Sequence, residues 1–234
     1  MPETQTDQTL FFDGLATYQK VYRQNLMSHR EVYGRLRRVI DEDVRKPFTF
    51  LDIACGDAAG SADILESSGI GRYTGIDISQ PSLTQAAQAL RSLECPVELR
   101  CQDFVDALRD WTEPVDVVWL GMSLHHLQTQ DKCRFFGDIA RILRKGGVFL
   151  LWEPTLKELE DRKGWLDRFS ALRHSHFFPL TDMEFQPFME HSIASDFPET
   201  IVQWTSMGKE AGFAQADVLC TMKNGLGHLF RFQR

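Results

Sequence analysis

From Pro47 to about residue 153 the chain repeats one unit: a short apolar run, a turn, then a helical stretch. Phe48–Ala54, Tyr73–Ile78, Val97–Cys101, Val115–Leu120 and Val148–Trp152 read as buried strands. Between them, Asp57–Ser68 reads as a helix ending at Gly69, and Pro81–Leu93 as a helix with Ser79 as cap and Pro81 in its first turn. Phe104–Arg109 makes a short helix. Lys132–Leu143 makes a longer one, stopped by Gly146-Gly147. Such alternation requires parallel strands joined by right-handed crossovers, which is an open, doubly wound α/β sheet. Sheets of that kind take ligands at the carboxyl ends of their strands, where the winding reverses. The residues just after each strand are therefore the candidates for chemistry.

The flanks depart from this rhythm. Residues 1–10 read as frayed, and 14–44 as helical with a break near Ser28. Residues 1–46 are expected to form an N-terminal helical cap, and 47–234 the main domain. Residues 154–197 hold Trp165, Phe169, Phe177, Phe178, Phe185 and Phe188, and lie where an insert would cover the sheet's carboxyl end. A substrate lid is the expectation there. Thr181 and Glu184 have the spacing of a capping box, and Pro187 limits the helix they start. A helix at about Glu199–Ala211 and two strands, Ala214–Met222 and Gly227–Phe232, complete a mostly parallel seven-stranded sheet with a C-terminal antiparallel hairpin.

Composition narrows the function. Hydrophobic residues make up 43% and charged residues 25%, enough to bury a core. A net charge of -7 argues against a nucleic-acid partner, which needs a basic face. No apolar run of membrane-spanning length occurs, and the polar, acidic N-terminus lacks a secretory pattern. Five cysteines without a CxxC pair fit reduced thiols. The expectation is a cytoplasmic protein, monomer or homodimer, with no membrane role.

The first strand runs into Asp52-Ile53-Ala54-Cys55-Gly56-Asp57-Ala58-Ala59-Gly60, whose small residues let a ligand approach the backbone. A dinucleotide fingerprint wants three glycines, and of Ala54, Gly56 and Ala59 only one is glycine. Asp52 and Asp57 would also face its phosphates, and two like charges about 4 Å apart repel by about 4 kcal/mol at an effective dielectric near 20. A cofactor carrying a sulfonium and an ammonium reverses that sign. A nicotinamide-dependent oxidoreductase is thereby disfavoured.

Leu51–Gly56 resembles the first motif of class I, Rossmann-like S-adenosylmethionine-dependent methyltransferases, with Ala54 and Ala58 in place of motif glycines. Gly75-Ile76-Asp77-Ile78-Ser79 is similar to their second motif, and Gln102-Asp103-Phe104 to their third. Val115–Val118 with Ser123-Leu124-His125-His126-Leu127 resembles the fourth-strand block, and Leu143–Gly147 the turn before the fifth strand. The resemblance implies S-adenosyl-L-methionine as cofactor and S-adenosyl-L-homocysteine as product. It implies that Asp52, Ala54 and Gly56 lie at the methionine end and that Asp77 holds the ribose. Ile78, Asp103 and Phe104 would bind the adenine, and the Leu120 carbonyl the methionine ammonium.

His125 and His126 follow the fourth strand, where a catalytic base would meet an acceptor. Tyr18 and Tyr22 on the N-terminal helix, Glu153 after the fifth strand, and His174 and His176 in the insert are candidates for substrate contact. His174 and His176 could ligate a metal with Asp182 or Glu184, but no metal is expected. The reading is methyl transfer to an oxygen or nitrogen of a small-molecule metabolite. The alternative is a protein that binds the same cofactor for non-methyl transfer chemistry or for regulation.

Overall fold

The computed structural model describes residues 17–234. The segment read as frayed, and the start of the first helix with Leu15, lie outside the described residues. Residues 17–23 are helical, Ser28 takes a left-handed conformation, and α1 (His29–Asp43) follows. The break at Ser28 is where the sequence placed it.

Among the described residues eight strands form one sheet. They are β1 (Phe48–Ile53), β2 (Ile70–Asp77), β3 (Val97–Cys101), β4 (Val115–Gly121), β5 (Leu143–Leu156), β6 (Glu199–Thr200), β7 (Gln215–Thr221) and β8 (Gly227–Gln233). The order is β3-β2-β1-β4-β5-β8-β7, with the two-residue β6 pairing the end of β5. This short strand is one more than the sequence reading allowed. β1 to β5 are parallel neighbours, and β8 runs antiparallel to both β5 and β7. The central strands are buried on both faces, so their sequences read as continuous apolar runs.

The connecting helices are α2 (Ala59–Leu65), α3 (Gln80–Ala89), α4 (Phe104–Arg109), α5 (Thr129–Ile142), α6 (Arg162–Ala171), α7 (Asp182–Ser195) and α8 (Ile201–Glu210). On one face of the sheet α5 buries Phe135, Phe136, Ile139 and Ile142 against Phe149 and Phe232. On the other, α1 buries Val32, Leu36, Val39 and Ile40 with Phe48 and Phe50. Two stops differ from expectation. The helix α5 ends at Ile142, and Gly146-Gly147 lies inside β5, where Gly146 takes φ +80 and a Cβ on Gly147 would stand 2.9 Å from the Arg144 carbonyl. The Thr181–Glu184 capping box forms as expected, but α7 continues through Pro187 to Ser195. Proline removes one N–H there, and the roof helix tolerates that because its outer face meets water.

Ser79 caps α3 by accepting from Ser82 N–H, and Asp103 caps α4 by accepting from Val105 and Asp106 N–H. After β1 the chain turns through Ala54 (φ 53), Gly56 (φ 55) and Ala58 (φ 53). The two alanines that replace motif glycines therefore occupy left-handed backbone. That conformation costs an L-residue about 1–2 kcal/mol. Ala54→Gly relieves it and returns about 0.5–1 kcal/mol of chain entropy to the unfolded state. The expected net is a melting temperature about 1–4 °C higher. A lower value by calorimetry would show that the methyl's contacts outweigh the backbone strain.

Candidate active site

The sheet order reverses between β1 and β4, and two adjoining cavities open at the carboxyl ends of those strands. The first, about 430 Å³, is lined by the turn from Asp52 to Gly60 and by Tyr18, Tyr22, Arg23, Tyr33, Gly121 and Ser123. The second, about 270 Å³, lies under α6 and α7 and is walled by Trp165, Phe169, Phe177, Phe185 and Phe188. Tyr18, Met122 and Trp152 belong to both linings. Met122 is itself left-handed, at φ 56, and its N–H donates to the Trp152 carbonyl at 2.7 Å. A strained residue thus divides the two spaces.

The first cavity suits a cation. Asp52 is 2% exposed and accepts from the Tyr73 hydroxyl at 2.7 Å. Burial pushes its carboxyl up to about 7, against the opposing pull of Ser61 and Tyr73. Asp57 lines the same wall, and Arg23 stands at the rim. The cradle is close-fitting: a Cβ added to Gly60 would come within 2.3 Å of the Tyr33 ring. These residues fit a ligand with a cationic end better than one with phosphates. Cys55 is in the same turn, and burial, with Asp52 and Asp77 beside it, pushes its thiol well up, so it sits there as a neutral filler.

The remaining cofactor candidates have visible structural partners. Asp77 braces the turn, Oδ2 accepting from Gly56 N–H and Oδ1 from Ser79 N–H, both at 2.8 Å. Ile78 is 71% exposed at the strand tip. Phe104 packs edge-on against Phe135 at 5.6 Å. Leu120 is fully buried, and its neighbour Gly121 lines the cavity.

The second cavity has one polar wall, made from opposite ends of the fold. After β4 a 3₁₀ turn, Leu124–His126, presents both histidines. Beneath it lies Glu153 of β5, wholly buried. The sequence reading sent Glu153 into the acceptor pocket, and the structure corrects this. Its Oε1 accepts from Ser123 N–H (3.0 Å) and Leu124 N–H (2.8 Å), and its Oε2 from His125 N–H (3.1 Å). Oε2 also stands 2.5 Å from His125 Nδ1. A 3₁₀ turn has free N–H groups at its start, and this carboxylate satisfies them. Asp196, just after α7, meets the histidines from above: its Oδ1 is 3.4 Å from His125 Nε2 and 3.4 Å from His126 Nδ1. His191 Nε2 is 3.8 Å from the same oxygen. Burial alone would push His125 down, but the Glu153 and Asp196 carboxylates on either side hold it at about 9. Burial opposes ionisation of Asp196 too, and the two histidines override it and hold its carboxyl well below the usual range.

The sequence reading missed Asp196 and His191. No motif marks them, because they come from the insert, some 70 residues beyond the histidines they meet. Polar contacts of the insert fix their position. Arg162 donates to the carbonyls of Ser192, Ile193 and Asp196 at the end of α7. Phe197 N–H donates to the His125 carbonyl at 2.8 Å, and buried Lys132 donates to the Phe197 carbonyl and to Glu199.

The other histidines of the insert stay away from the site. His176 Nε2 pairs with the Leu26 carbonyl at 2.6 Å, and His174 is exposed. Asp182 pairs with Arg173, and Glu184 with Lys20, so the structure does not gather these four groups. Tyr18 and Tyr22 do flank the site, packed edge-on about His29 at 5.9 and 4.9 Å.

Comparison with known proteins agrees with this geometry. Residues 50–147 match a family model described as a methyltransferase domain. Demethylmenaquinone methyltransferase of Leptospira interrogans is 27% identical over 128 residues, 54% of this chain and 51% of the relative. The chain thus spans about half the length of the curated relatives it matches. An O-methyltransferase family 2 protein from Planctomyces limnophilus, solved with apigenin, superposes with a TM-score of 0.64 at 16% identity, over 99% of this chain and 62% of that one. A plantazolicin methyltransferase, solved with a triazolic desmethylPZN analogue and S-adenosylhomocysteine, gives 0.65 at 11% identity, over 95% and 89%. Among the described residues no helix is long and apolar enough to cross a membrane. The matched segment runs from β1 into β5 and the fold continues through the terminal hairpin, so residues 50–147 are similar to a methyltransferase domain set in a fold shared with solved methyltransferases.

Proposed function

We propose that the protein transfers a methyl group from S-adenosylmethionine to an oxygen or nitrogen of a small, largely apolar acceptor held under α6 and α7. One observation carries this reading: an acidic cavity and an aromatic cavity share a wall at Tyr18, Met122 and Trp152. When bound, S-adenosylmethionine supplies an electrophilic methyl group. The chain's work is then alignment, which can supply roughly 7–11 kcal/mol. Asp52, Ala54 and Gly56 would hold the methionine end. Asp77, which keeps lone pairs beyond those given to Gly56 and Ser79, would hold the ribose, while Ile78, Asp103 and Phe104 flank the adenine and Leu120 offers its carbonyl. The aromatic walls exclude water from the acceptor. His125, His126 and Asp196 form the polar end that meets the acceptor's O–H or N–H; His126 would take its proton, while His125 is held charged between Glu153 and Asp196.

Asp52 gives this reading a pH signature. Its carboxyl is held near 7, above the unfolded value of 3.8. A cationic ligand favours the ionised form, so below pH 7 binding must first expel a proton. Affinity for S-adenosylmethionine is expected to fall as pH drops from 8 to 5.5, by up to about tenfold per unit below 7. The ligand-free protein has the opposite trend. A raised folded pKa gives stability that is full below the unfolded value and is lost as pH rises through 7. Titration calorimetry with S-adenosylmethionine and S-adenosylhomocysteine, on the natural protein and on Asp52→Asn, tests both. Binding of neither ligand at millimolar concentration would refute the function. The same pH slope in the variant would remove Asp52 from it.

A further inference from the structure

Three donor atoms from two distant parts of the chain converge on the polar wall of the aromatic cavity. His125 Nε2 and His126 Nδ1 each stand 3.4 Å from Asp196 Oδ1, and all three lie within 4.8 Å of one another. Asp196 Oδ1 is buried and accepts no hydrogen bond. A charge-assisted hydrogen bond would close to about 2.7–2.9 Å. Around an ion with bonds of about 2.0–2.2 Å to nitrogen and oxygen, neighbouring donors of a tetrahedron stand about 3.4 Å apart. The two distances to Asp196 match the second.

The surroundings suit the same occupant. Glu153 Oε2 lies against His125 Nδ1, at 2.5 Å. It accepts the hydrogen bond from Nδ1–H, so that when an ion displaces the proton from Nε2 that nitrogen's lone pair faces Asp196, the arrangement by which a buried carboxylate orients a metal-bound imidazole. His191 Nε2 stands 3.8 Å from the same Asp196 oxygen, near a fourth corner. His126 would exchange a 3.2 Å contact with the Ser195 carbonyl for the ion. All four residues line the cavity, so the position is open to an acceptor.

We propose that His125, His126 and Asp196 bind one divalent first-row transition-metal ion, with zinc the best match. Two imidazoles and one carboxylate select such an ion over magnesium or calcium, which take oxygen ligands. The fold assembles these donors by bringing the end of α7 onto the histidine pair after β4. His191 or a hydroxyl of the acceptor completes the shell. Only the acceptor's placement there rests on the function proposed above; ion binding does not.

The test uses the full chain, made without a polyhistidine tag and stripped with a chelator. Zinc chloride is titrated in by calorimetry, and cobalt(II) is followed by visible absorption. One ion per chain with micromolar affinity, and cobalt bands of four-coordinate intensity, are expected. His126→Gln, at a half-exposed site that leaves the core intact, and Asp196→Asn are each expected to weaken binding by at least roughly 100-fold. Circular dichroism confirms that both remain folded. No saturable binding below 1 mM, or unchanged affinity in His126→Gln, would overturn the site. Titration with S-adenosylmethionine separates the two readings. Zinc binding without cofactor binding overturns the methyltransferase function alone, and cofactor binding without zinc overturns the metal site alone.

Discussion

Replacing Glu153 by alanine is expected to destabilise the protein by about 3–5 kcal/mol, the scale for breaking a buried ion pair from one side. The residue is wholly buried and serves four donors: three backbone N–H groups of the turn after β4 and the His125 ring. Alanine orphans all of them at a position closed to solvent. The corresponding fall in melting temperature is about 6–20 °C for a chain of this size. Glu153→Gln is expected to cost less, because an amide oxygen still accepts two of the backbone bonds. Scanning calorimetry on the two variants orders them. Equal losses would mean that the charge, not the hydrogen bonds, holds the turn, and a loss under 1 kcal/mol in the alanine variant would refute the assignment.

Lys132→Met is the second large effect. Lys132 is fully buried, and its ammonium lies 2.9 Å from Glu199, over the Trp204 ring. Methionine fills the same volume but leaves the Glu199 carboxylate buried with, among the described residues, the Thr129 hydroxyl as its remaining partner. A cost of about 3–5 kcal/mol follows. Adding Glu199→Gln removes the stranded charge, and the double variant is expected to recover more than half of the loss. A double variant as unstable as the single one would show that the lysine acts by packing alone. Because Lys132 also holds the Phe197 carbonyl, next to Asp196, the single variant should loosen the polar wall of the aromatic cavity as well.

Glu153 and Asp196 show where sequence reasoning ends. The alternation from Phe48 to Trp152 exposed the parallel sheet, since apolar runs and turns are local properties of the chain. The turn at Asp52–Gly60 and the histidines after β4 were legible for a related reason: the fold fixes which strand ends face the ligand. Glu153 was seen at the right strand end but given the wrong destination. Its partners are N–H groups 28 to 30 residues earlier, and whether a turn leaves those free is not written in composition or periodicity. Asp196 was not seen at all, because its meaning depends on how a two-helix insert folds back. The β5 strand was drawn too short, because Gly146-Gly147 reads as a helix stop, and only the strand pairing shows that the glycines admit close backbone inside the sheet.

Trp165, Phe169, Phe177 and Phe185 are at once the apolar core of α6 and α7 and the walls of the cavity. In most domains the residues that stabilise a layer and those that choose a ligand are different sets, free to drift apart. Here they coincide, so a ligand of that cavity would be a missing piece of that layer's own interior. A lineage that enlarges the cavity to admit a new compound must thin the roof that covers it. Any change of diet in this fold is therefore tied to a compensating change elsewhere in the insert.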